Sequence, residues 1–188
     1  MALSSFQPIA APSHRSSLEQ WSDADLLALF LQRRGSRSED AFAELVERYG
    51  PLVLRVCRSI VGNEHDAQDA FQATFLVLAR KGRGLWVRDS LAPWLHGVAC
   101  RVASDARKSA ARRRTFERRM AALGQPSAIV EERDDVNELA AVVQEEIGRL
   151  PELHRSTVVL CDLQGRSHQE VALLLHCPVG TIKSRQSR

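Results

Sequence analysis

Ser167-His-Gln-Glu-Val-Ala-Leu-Leu-Leu-His-Cys-Pro-Val-Gly-Thr-Ile-Lys-Ser-Arg-Gln-Ser-Arg188 reads as two short helices joined by a tight turn. Ser167 and Glu170 form an S-x-x-E pattern, in which a hydroxyl and a carboxylate satisfy the unpaired N–H groups of a helix start. Val171, Leu174 and Leu175 then fall at i, i+3 and i+4 and make one apolar face. Pro178 and Gly180 break that helix, and Thr181 suits the N-cap of a second. Lys183, Ser184 and Arg185 follow. In a helix-turn-helix the opening residues of the second helix face base edges and phosphates, and these three are basic or small and polar. Taken alone, the stretch fits an ordinary helical hairpin with a basic rim equally well.

The chain has 188 residues and a net charge of +3, with an apolar share of 44% and an aromatic share of 5%. That is enough chain for one or two small globular domains. No apolar run approaches the ~20 residues needed to cross a bilayer, and the N-terminus lacks the pattern of a signal peptide. A soluble, cytoplasmic protein is expected. Cys57, Cys100, Cys161 and Cys177 are widely spaced in apolar helical patterns and read as buried free thiols. Cys161, His168, His176 and Cys177 lie close in sequence, but no C-x-x-C or H-x-x-x-H pair frames a zinc site, so no metal or other cofactor is expected.

The charge is strongly segregated. Between Arg101 and Arg119 stand eight basic residues against Asp105 and Glu117, whereas between Glu131 and Glu146 stand seven acids against Arg133. The first stretch makes a surface able to hold a polyanion by releasing its counterions. As a lone charge run it also fits a solvated helix face.

Residues 1–20 carry Ser, Ala and Pro without periodicity and read as a disordered tail. From Ser22 onward the pattern is helical, with no strand-like alternation. A first helix runs from Asp23 to about Arg33 behind a Ser22-x-x-Asp25 cap. A second begins near Ser38 and is expected to kink or break at Pro51. Gly62-Asn63 closes it and caps a third, Glu64 to about Lys81, which buries Phe71, Phe75 and Leu78 and leaves Asp66, Asp69 and Gln72 on a polar face. After a Gly-rich loop, residues 82–90, a fourth helix opens at Pro93 with Trp94, Leu95, Val98 and Val102 inward. Its other face lines up Arg101, Asp105, Lys108 and Arg112. Residues 121–136 read as an acidic, flexible linker. Helices resume at Asn137, with Leu139, Val142, Val143 and Ile147 as the apolar stripe, and again from Pro151, with Leu153, Val158 and Val159. The fold class is therefore all-α: two small helical domains, residues 21–120 and 137–188, joined by the linker.

Five motifs stand in this order: Ala41-Phe-Ala-Glu-Leu-Val-Glu-Arg-Tyr49, Asp66-Ala-Gln-Asp-Ala-Phe-Gln-Ala-Thr-Phe75, Trp94-Leu-His-Gly-Val-Ala99, Leu150-Pro-Glu-Leu-His-Arg155 and Gly180-Thr-Ile-Lys-Ser-Arg185. Together, at this spacing, they resemble the bacterial RNA polymerase sigma factors of the sigma-70 family, extracytoplasmic-function (ECF) type. The resemblance implies a promoter-melting domain followed by a helix-turn-helix reader. It implies that Asp66, Asp69 and Gln72 dock on core RNA polymerase, although Asp66 and Asp69 also complement the positive end of their own helix. Trp86, Arg88, Arg101, Lys108, Arg112 and Arg113 fall where the family holds the downstream (−10) element. Trp86 either stacks on an unpaired base or fills the core, the commoner use of Trp. Thr181, Lys183, Ser184, Arg185 and Arg188 fall where the family meets the upstream (−35) element. The implied partners are core polymerase, promoter DNA and an anti-sigma factor, with no membrane insertion and no small-molecule substrate.

Two departures stand out. Gln186 occupies a position usually apolar, and the second helix stops near Arg188, so a truncated chain with weakened upstream binding is expected. Val102 follows Arg101 where Asn is usual, which removes a side chain expected beside the melted strand. Two rival readings remain: a helix-turn-helix regulator independent of polymerase, and a degenerate sigma-like protein that acts only by binding polymerase or an anti-sigma factor. No enzyme is expected, since no phosphate loop, dinucleotide fingerprint, metalloprotease or nucleophile-elbow motif is present.

Overall fold

The structure, a computed structural model, describes residues 18–32, 35–85, 87, 90–122 and 135–187. Among these, all regular structure is helical: α1 (Asp23–Leu31), α2 (Ser36–Val61), α3 (Glu64–Lys81), α4 (Ala92–Ala122), α5 (Asp135–Arg149), α6 (Glu152–Val158), α7 (His168–Leu174) and α8 (Val179–Gln186). A 3₁₀ turn, Gly82–Gly84, follows α3, and a π turn, Val159–Leu163, follows α6.

Local chemistry sets the helix ends. Ser22 accepts from the Asp25 amide, Asn63 from the Asp66 amide, and Ser167 with Glu170 forms a complete capping box. Gly62 takes the left-handed conformation, φ 80°, that ends α2. Pro51 does not break α2, which runs unbroken from Ser36 to Val61. Pro51 is exposed, as is Glu47, whose carbonyl loses its N–H partner, so water can take that partner's place.

α1 to α4 pack around Leu26, Leu45, Val53, Val56, Leu78, Leu91 and Leu95, all essentially inaccessible. Of the residues assigned to this core from the sequence, Phe71, Trp94 and Val102 are only half-buried. Asp23, 3% exposed, pins three elements together. Its carboxylate accepts from Arg48 Nη1 at 2.8 Å, from the Tyr49 hydroxyl, and from the Leu91 amide at 2.6 Å. A buried carboxylate needs such partners to offset its desolvation.

α5 does not bury the stripe its sequence suggests. Leu139, Val142 and Val143 are 67%, 47% and 46% exposed, while Ala141 is buried and Gln144, Ile147 and Gly148 are half-buried. Small residues let α5 approach α2 and α4 closely: a Cβ on Gly148 would lie 3.2 Å from that of Cys100. Leu153 is likewise 59% exposed rather than inward, and Val159 carries the apolar contact of that segment.

Candidate nucleic-acid interface

The turn between α7 and α8 is built differently from the sequence expectation. α7 ends at a left-handed His176, φ 47°, with the Cys177 amide donating to Ala172 O and the His176 amide to Leu173 O. That double bond pattern is a Schellman motif made without glycine. α8 then starts at Val179 behind Pro178, which leaves Thr181 and Gly180 inside its first turn rather than at a cap or a break. The Thr181 amide donates to the Pro178 carbonyl. With about 100° of rotation per residue, Val179, Ile182, Arg185 and Gln186 face inward and Gly180, Lys183, Ser184 and Ser187 face outward. Burial agrees: Ile182 is fully buried, its inward neighbours are half-buried, and the outer four are exposed.

Lys183 and Ser184 therefore stand on the open face of α8, and Thr181 sits half-buried at its edge. Arg185 does not stand beside them: its Nη1 lies 4.0 Å from Cys177 Sγ, and its side chain lines a partly open pocket. Ser187 takes its place on the outer face. The i, i+3, i+4 spacing of Ser187 from Ser184 and Lys183 was the available signal. Arg188 lies outside the described residues, as do Trp86 and Arg88.

α4 supplies the basic surface. Its 31 residues make a rod of about 46 Å. Leu95, Val98, Ala99, Cys100 and Ala103 seat its first half in the core, while residues 111–120 are all exposed. Arg101, Lys108, Arg112 and Arg113 are exposed along it, so the basic line expected from sequence is displayed. Arg107 is not part of that display, because it pairs with Glu145 of α5 at 2.6 Å.

On α3, Asp69 and Gln72 are exposed, and Asp66 is half-buried and accepts from Asn63 Nδ2 at 2.7 Å. Asp66 thus serves its own helix start. Leu76, 57% exposed, shares the Asp69–Gln72 face by helical spacing and adds an apolar contact that the polar stripe concealed.

α4 and α5 meet along a polar seam. His96, fully buried, places Nε2 2.8 Å from Gln144 Oε1; Cys100 donates to Gln144 O, and Ser104 donates to Glu145. Burial depresses the His96 pKa, with the Arg155 charge acting in the same direction and the Gln144 hydrogen bond opposing it. Burial also pushes the Cys57 thiol up to about 11 and the Cys100 thiol up to about 12, which leaves both unreactive. Beside the seam, a cavity of about 500 Å³ is lined from one side by Gly84, Leu85 and Trp94 and from the other by Ser156, His176 and Arg185. The segment Gly84–Leu85 after α3 and the inner face of α8 therefore look into the same space. Trp94, which the sequence placed simply in the core, is the aromatic that lines it.

Residues 45–113 match the family described as Sigma-70 region 2, and residues 140–188 match Sigma-70, region 4. The chain is 33% identical to the ECF RNA polymerase sigma factor SigM of Mycobacterium tuberculosis, over 89% of this chain and 80% of that protein. It is 29% identical to the ECF RNA polymerase sigma factor SigE of Mycolicibacterium smegmatis, over 95% of this chain and 74% of that protein. A solved structure of CnrH in complex with the cytosolic domain of CnrY aligns over 88% of this chain and 90% of that one, at 22% identity and a TM-score of 0.45. Among the described residues no helix is long and apolar enough to cross a membrane. The helix order, the capped helix-turn-helix and the sequence matches have one common answer: the chain belongs to the ECF RNA polymerase sigma factors of the sigma-70 family.

Proposed function

We propose that this sigma factor works in the cytoplasm as a positioning subunit, not a catalyst, and divides its task among three surfaces. The α3 face carrying Asp69, Gln72 and Leu76, with Asp66 at its start, seats the chain on core RNA polymerase. The loop 82–90, with Trp86 and Arg88, and the basic line Arg101, Lys108, Arg112 and Arg113 hold the opened downstream element through phosphate contacts. The outer face of α8, with Lys183, Ser184 and Ser187, enters the major groove of the upstream element, with Thr181 at the edge and Arg188 beyond it. An anti-sigma factor is the regulator expected by likeness to the family. The observation that carries the reading is the division of α8 into a packed inner half and an exposed polar outer half.

The arrangement described is a closed one. Elements centred near −35 and −10 are about 25 base pairs apart, roughly 85 Å of straight duplex at 3.4 Å per step. Two readers whose supporting elements border one pocket lie too close together to engage both elements, so on this reading productive binding separates α5 from the α4 seam. The experiment is a pull-down with core polymerase followed by run-off transcription. Asp69→Arg should weaken core binding about tenfold while helix content is kept; undiminished binding would overturn the docking assignment. Wild-type binding without transcripts would favour the interaction-only alternative.

A further inference from the structure

α8 has eight residues and a single buried side chain, Ile182, yet its outer face must be aimed at base edges to within a fraction of a turn. Gln186 stands four residues after Ile182, hence over the same seam one turn further on. Its side chain joins three elements. His168, the first residue of α7, lies with Nε2 2.5 Å from Gln186 Oε1, and Gln186 Nε2 donates to Asp162 Oδ1 in the π turn at 2.7 Å. The polarity of this chain of bonds is determined by chemistry. An ionised carboxylate only accepts, so the amide nitrogen must face Asp162, the amide oxygen faces His168, and the imidazole must carry its proton on Nε2.

We propose that Gln186 is a positioning residue of promoter recognition, which sets the roll of α8 by bridging Asp162 and His168 and so holds Lys183, Ser184 and Ser187 outward. The proposal rests on the reading of α8 as the upstream-element reader. A slip of α8 by one residue turns it by about 100°, which breaks both bonds and swings the outer four residues off the exposed face. An apolar residue at 186 would add packing over Ile182 but no directional bond. Apolar contact by Ile182 and half-buried Val179 resists displacement from the core more than small rotations within it, because such contact is non-directional. The amide bridge supplies the direction.

The test uses holoenzyme assembled from core polymerase and each variant, presented with a duplex library randomised over the upstream element, alongside ring-nitrogen NMR of His168 in the chain alone. Wild type should enrich a defined upstream sequence and show the Nε2–H tautomer. Gln186→Ala, Gln186→Leu and Asp162→Ala should lose discrimination between that sequence and a scrambled one by about fivefold, as expected for loss of modest hydrogen bonds. Core binding and far-UV circular dichroism should not change. Asp162→Asn should behave as wild type, since its amide oxygen still accepts. Wild-type discrimination in Gln186→Ala, or an Asp162→Asn as weak as Asp162→Ala, would overturn the positioning role. A wild type that enriches no upstream sequence would overturn the reading of α8 itself, and the positioning role with it; an intact tautomer signal would then show a bond that serves only the fold.

Discussion

α4 and α8 both carry candidate DNA contacts, and they are anchored in opposite ways. α4 seats Leu95, Val98, Ala99, Cys100 and Ala103 in the core and carries a fully exposed charged half; in the described part of α8 Ile182 is fully buried, Val179, Arg185 and Gln186 are half-buried, and the polar half faces outward. The difference suits the roles proposed for them. Phosphate contacts need charge at roughly the right distance and tolerate small errors of rotation, whereas base-edge hydrogen bonds need a defined angle. On the proposed roles, α4 can be long, basic and exposed, while α8 would depend on directional contacts for its orientation.

The largest effect expected from breaking this comparison is at Ile182. Ile182→Ala should cost about 2–4 kcal/mol of the stability of the C-terminal helices, read by denaturant unfolding, and should leave α8 amides open to hydrogen exchange. Leu95→Ala in α4 removes a comparable side chain, yet α4 amides should stay protected because Val98, Ala99, Cys100 and Ala103 remain buried. Equal loss of protection in both helices would show that they are anchored alike.

A smaller effect should come from pH at the seam that holds the two halves together. In the unfolded chain His96 takes up a proton below about pH 6.5, but its folded value is depressed by burial. Its contribution to stability is therefore complete above about pH 6.5 and is lost as pH falls toward the folded value. Denaturant midpoints should drop between about pH 7.5 and 5.5, and His96→Gln should remove that part of the drop. A midpoint difference unaltered by His96→Gln would count against a buried, neutral imidazole in the seam.

The smallest effect should come from single charges on α4. Arg112→Ala or Arg113→Ala in the holoenzyme should lower the slope of log affinity against log salt by about 0.7 for each single-strand phosphate no longer neutralised, without altering which sequences are preferred. A change of sequence preference would make these arginines base readers and erase the contrast with α8.

Much of the fold is legible in the sequence because helix starts are decided within four residues. Ser22, Asn63 and Ser167 cap helices where their spacing implies, and Gly62 ends one. The turn of the helix-turn-helix is less legible: Gly180 and Pro178 look like helix breakers, but the chain turns at His176, held by two backbone bonds that composition does not announce. For α5 the sequence is only partly right: Ile147 packs against the core, but Leu139, Val142 and Val143 are exposed. The closest approach is made instead by buried Ala141 and by Gly148, because close helix approach selects small side chains. The candidate site divides in the same way. Lys183, Ser184 and the α4 line are exposed as their spacing implies, while Arg185 turns into a cavity beside Trp94, whose walls come from segments far apart in the chain.

The sequence by itself determined the helical class, the order of the elements, most of their caps and the family, since each depends on neighbours along the chain or on motifs in order. Only the tertiary structure decided that Asp23 is the buried acid that ties α1 to the start of α4, that Glu145 takes Arg107 out of the basic surface, and that Gln186 finds two polar partners where an apolar anchor was expected. These pairings join residues 18 to 68 positions apart. Their partners are brought within reach by packing of the elements between them, which no local pattern encodes.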